Sequence, residues 1–542
     1  MHRFLGAVGG VVAAGTALAA GYLVADLTGG PWPVDAVGVQ VIDWSPGPVK
    51  DWAVRSLGTA DRPLLRVGIC ATLAIVAAIA GLIGARGRRR TAVGIAGGVG
   101  LVGLAFAVVS RSSAGNLTDR LLPATVTLVV AISTMWLVVR RFDTTAVSRA
   151  ATTAAEETAG QPTGQPAERT AEQPAEQMAG QPAEVPAAQP VGFDRRRFLL
   201  TVSALAAAGV VSAGATRFVG GSGNELRARV RVPRPTDAAG PLRASVDVPG
   251  ISPFTTPNSK FYRVDTLLQV PRIDPRDWEL RVHGLVDKEL RISFDQLLQR
   301  RLVERDITLT CVSNEVGGPY VGNARWIGVP IADVLREAGV RDGADAVKST
   351  SVDGLTIGTP LSALTDGRDA IFAVAMNGEP LPFEHGFPVR MVVPGLYGYV
   401  SATKWIVDFE VTRFQDFSAY WTDRGWSVEA PIKTSARIDV PKGFATVKAG
   451  PAIAAGVAWA QHRGIRKVEV QVDNGPWQPA QLAPVDGPDT WRQWTFRWNA
   501  TPGTHKLTVR ATDATGELQT DRPAPPRPNG SSGLHNTVVM VE

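Results

Sequence analysis

The sequence predicts three structural parts: an N-terminal multi-helix membrane anchor, an α+β domain, and a C-terminal immunoglobulin-like β-sandwich. Long apolar stretches occur within the first 219 residues. Between about 240 and 430, short alternating runs mix with short helical patterns without a strand–helix–strand rhythm. From 431 to 542, alternating runs are separated by turn residues. A chain of 542 residues is also too long for a single hydrophobic core.

The apolar stretches predict helices that cross a membrane. They lie at 4–26, 64–85, 91–110, 121–139 and 198–219, and are rich in Ala, Val, Gly and Leu. About 20 such residues span the hydrocarbon part of a bilayer. We therefore expect a four-helix membrane region over 1–141 and a fifth membrane helix over 195–219.

The distribution of arginine predicts a membrane orientation rather than nucleic-acid binding. The formal charge is +6, but arginines cluster beside the apolar stretches at 88–90, 140–141 and 195–197. Such clusters mark the cytoplasmic ends of membrane helices. No interleaving of aromatic and basic residues indicates base stacking. We expect a multi-pass protein of the bacterial cytoplasmic membrane. Its N-terminus should lie in the cytoplasm and its C-terminal domains on the extracytoplasmic side.

Residues 142–194 are predicted to be a disordered linker. They are mostly Ala, Gln, Pro and Glu in loose repeats, a composition that buries little apolar surface. The next stretch, DRRRFLL from Asp194, resembles a twin-arginine export signal. Arginines that simply precede a membrane helix explain it equally well.

Local patterns place short elements in the two C-terminal domains. Residues 278–285 read as a strand and turn, Ser293 as a helix N-cap, and 331–339 as an amphipathic helix ending at glycine. Residues 467–472 alternate as a strand before an Asn-Gly turn, and 494–498 and 505–511 alternate similarly.

A single cysteine stands at the centre of the α+β domain. The alternating run Ile307–Thr310 predicts a strand that ends at Cys311, and a polar, glycine-rich loop follows. The second cysteine, Cys70, lies in an apolar stretch, so Cys311 has no disulfide partner in the C-terminal domains. The residues alone leave three interpretations open: a small buried side chain, a soft metal ligand, or a nucleophile paired with a histidine.

The second candidate stretch is the proline- and glycine-rich loop at 377–388, which precedes a short strand. It presents His385 and, five residues later, Arg390. An arginine fork and a histidine donor suit an anion such as phosphate, although a surface loop explains the pattern too. The following segment, 397–405, adds hydroxyl groups and Lys404.

Together these stretches resemble the sulfite-oxidase family of molybdopterin-dependent oxidoreductases, in a membrane-anchored bacterial form. The resemblance covers about residues 240–542. It is carried by the isolated cysteine after its strand, NGEPLPFEHGFPVRMVVPG, SATKW and the sandwich run VEVQVDNG. It implies a molybdenum–molybdopterin cofactor and two-electron oxygen-atom transfer on a small sulfur-containing substrate. Sulfoxide reduction is the alternative within the family, and a non-catalytic membrane receptor or scaffold is the alternative outside it.

The resemblance also implies site residues. Cys311 matches the thiolate ligand of the metal and is a catalytic candidate, as is Arg263, which follows an aromatic pair. The cofactor-binding candidates are Asn258, Tyr262, Arg263, Cys311, Asp353, His385, Arg390, Ser401, Ala402, Thr403 and Lys404.

Two departures from the family pattern bear on the substrate. Animal and plant sulfite oxidases have an arginine-rich loop after the cysteine, whereas this chain has Glu315 and no arginine there. Residues 264–266 also replace an Arg-Asn-His run. Both changes remove positive charge from the expected mouth and leave Arg263 and Arg325 to restore some of it.

The sequence also limits how electrons reach the site. No CxxCH motif is present, and none of the six histidines lies within the five apolar stretches. We therefore expect no haem in this chain, and a separate cytochrome or quinone-linked protein as its electron partner. The family resemblance further implies a homodimer through the C-terminal domain.

Overall fold

The computed structural model describes residues 2–46, 49, 52–53, 57, 61–109, 117–142, 195–219, 221–242, 246–484 and 486–542. The linker predicted at 142–194 lies outside these residues, apart from Phe142. Contacts divide the chain into two compact units. The first lies within 1–38, 57–109 and 117–217, and the second within 39–56, 110–116 and 218–542.

The first unit is helical. Its helices are α1 (His2–Thr28), the start of α2 (Pro33–Trp44), α3 (Asp61–Ala85), α4 (Arg89–Val109), α5 (Leu117–Val139) and α6 (Arg195–Val219). Five of these six, all except α2, are long and apolar enough to cross a membrane. They coincide with the five apolar stretches of the sequence.

Small residues allow the first unit's helices to pack closely. Helix α1 packs against α3 and α5, and α4 packs against α5. A Cβ atom on Gly10 would lie 2.1 Å from the carbonyl oxygen of Ala77, and one on Gly81 would lie 2.0 Å from that of Gly6. Glycine is therefore needed where α1 and α3 meet, as is common between membrane helices.

The α+β part of the second unit contains one mixed sheet, one antiparallel sheet and short helices. The helices are α7 (Gly221–Arg229), α8 (Phe294–Leu298), α9 (Ile331–Ala338) and α10 (Ser362–Thr365). As predicted, Ser293 caps α8, in a capping box with Gln296, and α9 ends at Gly339, whose φ is 70°.

The first sheet has the order β2-β1-β10-β5-β6. Only β1 and β10 run parallel within it. Its strands are β1 (Glu279–Gly284), β2 (Leu290–Ser293), β5 (Ala346–Ser351), β6 (Thr356–Pro360) and β10 (Ile406–Thr412).

The second sheet is antiparallel and carries the candidate cysteine. Its order is β3-β4-β7-β8, and β9 also pairs with β7. Its strands are β3 (Val303–Thr310), β4 (Val321–Pro330), β7 (Ile371–Met376), β8 (Glu379–Pro380) and β9 (Arg390–Val392). All six side chains of β7 are buried, because β7 lies inside the sheet between β4 and its partners.

Two further sheets follow, with the orders β11-β13-β17-β16 and β12-β19-β18-β14-β15. Buried residues from both form one hydrophobic core that includes Trp494, Phe496 and Val509. The strands are β11 (Ser435–Val440), β12 (Thr446–Val447), β13 (Gly450–Trp459), β14 (Ile465–Val472), β15 (Gln478–Pro479), β16 (Gln481–Leu482), β17 (Arg492–Ala500), β18 (Gly503–Asp513) and β19 (Asn536–Val541). The predicted strands at 467–472, 494–498 and 505–511 fall within β14, β17 and β18.

Candidate active site

One cleft in the α+β part brings most of the predicted site residues together. Its empty volume is about 900 Å³, including its open mouth. It is lined by all residues of the segment 261–266 except Arg263, by the loop after β3, by the turn between β5 and β6, and by the loops on either side of β9. The predicted residues among its lining are Tyr262, Cys311, Asp353, His385, Arg390, Ala402 and Lys404.

Cys311 is held at the end of β3 by the geometry of the hairpin. Its N–H donates to the carbonyl oxygen of Tyr320 at 3.0 Å, and its own carbonyl accepts from the N–H of Asn314 at 3.1 Å. The side chain is 8% exposed. Burial raises the pKa of the thiol, an effect opposed in part by hydrogen bonds from Ser313. Without a bound cation the sulfur is therefore a neutral thiol.

Arg390 is a buried cation without a carboxylate partner among the described residues. It lies on β9, is 5% exposed, and its guanidinium carbon sits 5.2 Å from the centre of the Trp326 ring. Its Nε and Nη1 donate to the carbonyl oxygens of Met391 and His385 at 3.3 and 3.2 Å. Burial lowers the pKa of Arg390 to about 10. An uncompensated buried charge is costly, so a cleft-facing arginine of this kind fits an anion.

His385 lies beside this arginine. It ends a single helical turn, Phe383–His385, and the following Gly386 has φ 109°, a conformation that favours glycine. The imidazole Nε2 donates to the carbonyl oxygen of Asn258 at 3.1 Å, because a carbonyl can only accept. Burial and the charge of Arg390 lower the pKa of His385 to about 4. The imidazole is therefore neutral at pH 7.

Lys404 completes the basic part of the cleft but is already paired. Its Nζ lies 2.8 Å from Asp265 and 3.1 Å from the carbonyl oxygen of Glu384. Burial lowers the pKa of Lys404 to about 8, against the opposing charge of Asp265. The same carboxylate lies 2.7 Å from Nε of Arg263, which does not line the cleft. The single carboxylate of Asp265 is thus shared by two cations, which leaves this group of three side chains with a net charge of +1 when all are ionised.

Part of the α+β region matches a known protein family. Residues 267–421 match the oxidoreductase molybdopterin binding domain. The chain is 30% identical over 325 residues to mitochondrial sulfite oxidase of Rattus norvegicus, a match that covers 50% of this chain and 58% of the relative. It is 34% identical over 153 residues to the uncharacterized oxidoreductase YuiH of Bacillus subtilis (strain 168), covering 28% of this chain and 74% of that protein.

The chain belongs to the sulfite-oxidase family of molybdopterin-dependent oxidoreductases. It spans a little over half the length of the mitochondrial sulfite oxidases that it matches. The chain is also similar to the crystal structure of the sulfane dehydrogenase SoxCD from Paracoccus pantotrophus. That match has a TM-score of 0.46 and 22% identity, and covers 53% of this chain and 84% of that one.

The residues of the cleft fit the molybdenum–pterin group of this family. Cys311 supplies a soft sulfur donor, and sulfur donors suit a metal that is already bound by thiolates. Arg390 supplies a buried positive charge that no described carboxylate compensates. These two features match the two ends of a phosphorylated, dithiolene-bearing cofactor.

Four predicted cofactor residues do not line the cleft. They are Asn258, Arg263, and the fully buried Ser401 and Thr403. The side-chain oxygen of Asn258 accepts a hydrogen bond from the side-chain amide of Asn377 at 2.7 Å.

The hydroxyl groups of Ser401 and Thr403 are bound within the protein. Ser401 donates to the carbonyl oxygen of Leu396 or Tyr397 at 3.1 or 3.0 Å. Thr403 forms a 2.7 Å hydrogen bond with Ser349. In this structure these hydroxyls therefore shape the loop that presents Ala402 and Lys404.

The two arginines expected to restore charge at the mouth are both in ion pairs. Arg263 pairs with Asp265, as described above. Arg325 lies opposite Asp306 in the β3–β4 register, and its guanidinium is 2.6 Å from that carboxylate. Arg325 does not line the cleft either.

Two tryptophans of the cleft were missed by the sequence analysis. Trp421 and Trp426 flank the single turn Thr422–Arg424 and Gly425, whose φ of 79° closes that turn. In the sequence these residues stand out only as two tryptophans five residues apart with a glycine between them. Such a pattern does not indicate a particular chemistry, so the sequence alone does not assign it to a site.

Proposed function

We propose that this protein is a molybdenum-cofactor oxidoreductase that catalyses two-electron oxygen-atom transfer on a small sulfur-containing or related substrate. The observation that carries the proposal is that one cleft holds the Cys311 thiol and the Arg390 guanidinium, which has no carboxylate partner among the described residues. When bound, the cofactor supplies a metal that changes oxidation state by two electrons while oxygen is transferred.

The chain's own residues hold and tune that cofactor. Cys311 is the protein ligand and loses its proton on binding, because a thiolate is the form that binds metal. Arg390 binds the anionic end of the pterin, and His385 and Lys404 lie beside it. Asp353, Tyr262 and Ala402 line the remaining wall of the cofactor site.

Sulfoxide reduction is the second candidate reaction, and the pairing of charges favours it. Asp265 pairs with both Arg263 and Lys404, and Asp306 pairs with Arg325, so a carboxylate competes with any anionic substrate for each of these cations. Sulfite is an anion and needs cations at the reaction site, whereas a sulfoxide is neutral.

The alternatives without molybdenum are weaker. A nucleophilic cysteine needs a lowered pKa, whereas burial raises the pKa of Cys311. The histidine partner in that interpretation would be His385, whose pKa burial lowers to about 4, so it is a weak base. A receptor that retained the fold would have no need of a buried Arg390 for which the described residues supply no carboxylate.

We further propose how the parts are arranged. The helices of 1–141 and 195–219 anchor the chain in the cytoplasmic membrane, with 142–194 as a linker. A catalytic domain (240–430) and an immunoglobulin-like dimerisation domain (431–542) lie on the extracytoplasmic side. A separate cytochrome or quinone-linked protein exchanges electrons with the site. The five apolar helices and the shared core of the two C-terminal sheets support this arrangement.

Metal analysis of the purified, full-length membrane protein tests the function. We expect about one molybdenum and one pterin per chain, and loss of the molybdenum in Cys311→Ala. The matched control is Cys70→Ala, which alters the other cysteine, in α3, and should retain both. Absence of molybdenum from protein made in a cofactor-producing host would contradict the proposal.

A further inference from the structure

A segment from the N-terminal part of the chain contacts the residues beside the cleft. In the sequence, residues 39–56 fall between the long apolar helices α1 and α3, yet they belong to the second compact unit together with 218–542. The carboxylate of Asp43, near the end of α2, accepts a hydrogen bond from the hydroxyl of Tyr420 at 2.9 Å. The two residues are 377 positions apart in the chain. Only the fold therefore reveals this contact.

Arg424 completes a group of three side chains around this hydrogen bond. Its guanidinium carbon lies 3.5 Å from the centre of the Tyr420 ring, and its Nη2 lies 3.6 Å from the Asp43 carboxylate. Its Nη1 also donates to the carbonyl oxygen of Tyr420 at 2.9 Å. The side chain of Asp43 is only 14% exposed. Because hydrogen bonds to a charged group are stronger than those between neutral groups, we expect Asp43 to hold both partners in place.

This group lies directly beside the aromatic side of the cleft, which is formed by Trp421 and Trp426. The rings of Tyr420 and Trp421 are 4.9 Å apart and nearly perpendicular, and those of Trp421 and Trp426 are 6.5 Å apart. These are ordinary distances for interacting aromatic rings. The carbonyl oxygen of Trp421 also accepts from the N–H groups of Arg424 and Trp426 at 3.0 and 3.2 Å. The orientation of both tryptophans therefore depends on Tyr420 and Arg424.

The two ends of the segment 420–427 are fixed by other contacts. The N–H of Tyr420 donates to the carbonyl oxygen of Thr356 at 3.3 Å, and the N–H of Ser427 donates to that of Pro528 at 3.0 Å. Asp43 acts between these two points, on side chains rather than on the backbone. Its loss should therefore loosen the tryptophans without unfolding the domain.

We propose that Asp43 is a positioning residue for the aromatic side of the cleft. Through the two side chains that it contacts, it orients Trp421 and Trp426. The segment between α1 and α3 is then part of the cleft's support, and not only of the predicted anchor. The inference goes beyond the proposed function, because it concerns the orientation of these side chains whether or not a cofactor is bound.

The test follows the two tryptophans directly. Full-length protein in detergent is labelled with 5-fluorotryptophan, and the fluorine resonances of Trp421 and Trp426 are assigned with Trp421→Phe and Trp426→Phe. Asp43→Ala should move both resonances by more than their linewidths. Tyr420→Phe keeps the ring, removes only the hydroxyl, and should move them in the same way. The double variant should move them little further, because both single changes remove the same hydrogen bond.

Hydrogen exchange measures how far the turn loosens. Loss of a hydrogen bond to a charged group should speed exchange of the amides of Arg424 and Trp426 about tenfold in Asp43→Ala. Peptides from β14 and β18 in the C-terminal sheets should exchange at the wild-type rate. The molybdenum content should also be unchanged, because Cys311 and Arg390 lie outside the group around Asp43.

Two further variants serve as controls. Asp43→Asn keeps an oxygen that can accept from the Tyr420 hydroxyl, so it should leave the resonances closer to their wild-type positions than alanine does. It also covers the case in which the alanine variant fails to fold. Asp423→Asn removes the same charge from an exposed carboxylate in the same turn, and should change neither the resonances nor the exchange rates.

Three results would overturn the inference. The first is an Asp43→Ala variant with wild-type resonances and wild-type exchange at Arg424 and Trp426. The second is faster exchange throughout 218–542, which would make Asp43 a general stabilising residue. The third is full additivity of Asp43→Ala and Tyr420→Phe, which would show that they do not act through one contact. Absence of molybdenum from the wild-type protein would instead reject the proposed function and leave this inference standing.

Discussion

Replacement of Arg390 by methionine should separate ligand binding from folding. Arg390 is 5% exposed and has no carboxylate partner among the described residues. If the charge of Arg390 serves to bind the cofactor, it should add little to the stability of the cofactor-free protein. Methionine has a similar length and no charge, so Arg390→Met removes the cation with little change in volume.

The expected energies follow from the contacts of the guanidinium. Burial lowers the pKa of Arg390 from 12.5 to about 10, which corresponds to about 3 kcal/mol of unfavourable desolvation. The two hydrogen bonds from the guanidinium to carbonyl oxygens offset about 1 kcal/mol of this desolvation each. The contact with the Trp326 ring returns about 0.5–1 kcal/mol. The free energy of unfolding of the cofactor-free protein should therefore change by less than about 1 kcal/mol.

The cofactor-loaded protein should behave differently. Hydrogen bonds from a cation to an anion are worth about 1.5–3 kcal/mol each. Loss of two of them should weaken cofactor binding by at least about a hundredfold. The assay compares protein from a cofactor-producing host with protein from a host that lacks the cofactor. It measures molybdenum and pterin content in the first, and denaturant unfolding by tryptophan fluorescence in the second.

Arg325→Met is the matched control. This arginine pairs with Asp306, whose side chain is only 9% exposed, and lies outside the cleft. Its replacement should destabilise the cofactor-free protein by about 1–3 kcal/mol, because a largely buried carboxylate loses its partner. Its cofactor content should stay unchanged. The reasoning is refuted if Arg390→Met destabilises the cofactor-free protein by more than about 2 kcal/mol, or if it retains molybdenum.

Three further predictions test the neighbouring groups. Asp265→Asn should release Arg263 and Lys404 from their shared carboxylate and so strengthen inhibition by sulfate several-fold; unchanged inhibition would show that neither cation reaches the substrate. The pKa of His385 is about 4 in the folded protein against 6.5 ordinarily, so the unfolded chain binds the proton more tightly. The free energy of unfolding of the cofactor-free protein should therefore fall by up to about 3 kcal/mol as the pH falls from 6.5 to 4. The His385→Asn variant should lack this part of the pH dependence. Ser401→Ala should cost about 1 kcal/mol of stability but keep the molybdenum content, since its hydroxyl is bound to backbone carbonyls; a loss of metal would instead assign the hydroxyl to the cofactor.

Elements governed by local patterns were predictable from the sequence. The strand that ends at Cys311 is β3, because its alternation and the polar loop after it are both local signals. The capping box of α8 and the glycine end of α9 depend on neighbouring residues in the same way. The five apolar helices follow from length and composition. In each case the deciding residues are close together in the chain.

The pairing of charges was not predictable, because it depends on residues far apart in the chain. Lys404 meets Asp265 across 139 positions, and the same carboxylate also holds Arg263. From the sequence, Arg263 and Arg325 were expected to add positive charge at the mouth of the cleft. Only the fold shows that each of them pairs with a carboxylate.

This difference matters most for the substrate. Positions that hold the cofactor can be recognised from a motif, because the cofactor demands particular donors at particular places. Substrate preference cannot be recognised from a motif in this way. It depends on which cations of the cleft lack a carboxylate partner and on apolar rings such as Trp426. Arg390 shows the contrast within one cleft. Among the described residues it has no carboxylate partner, whereas Lys404 in the same cleft pairs with Asp265, and this difference is set by residues far apart in the chain.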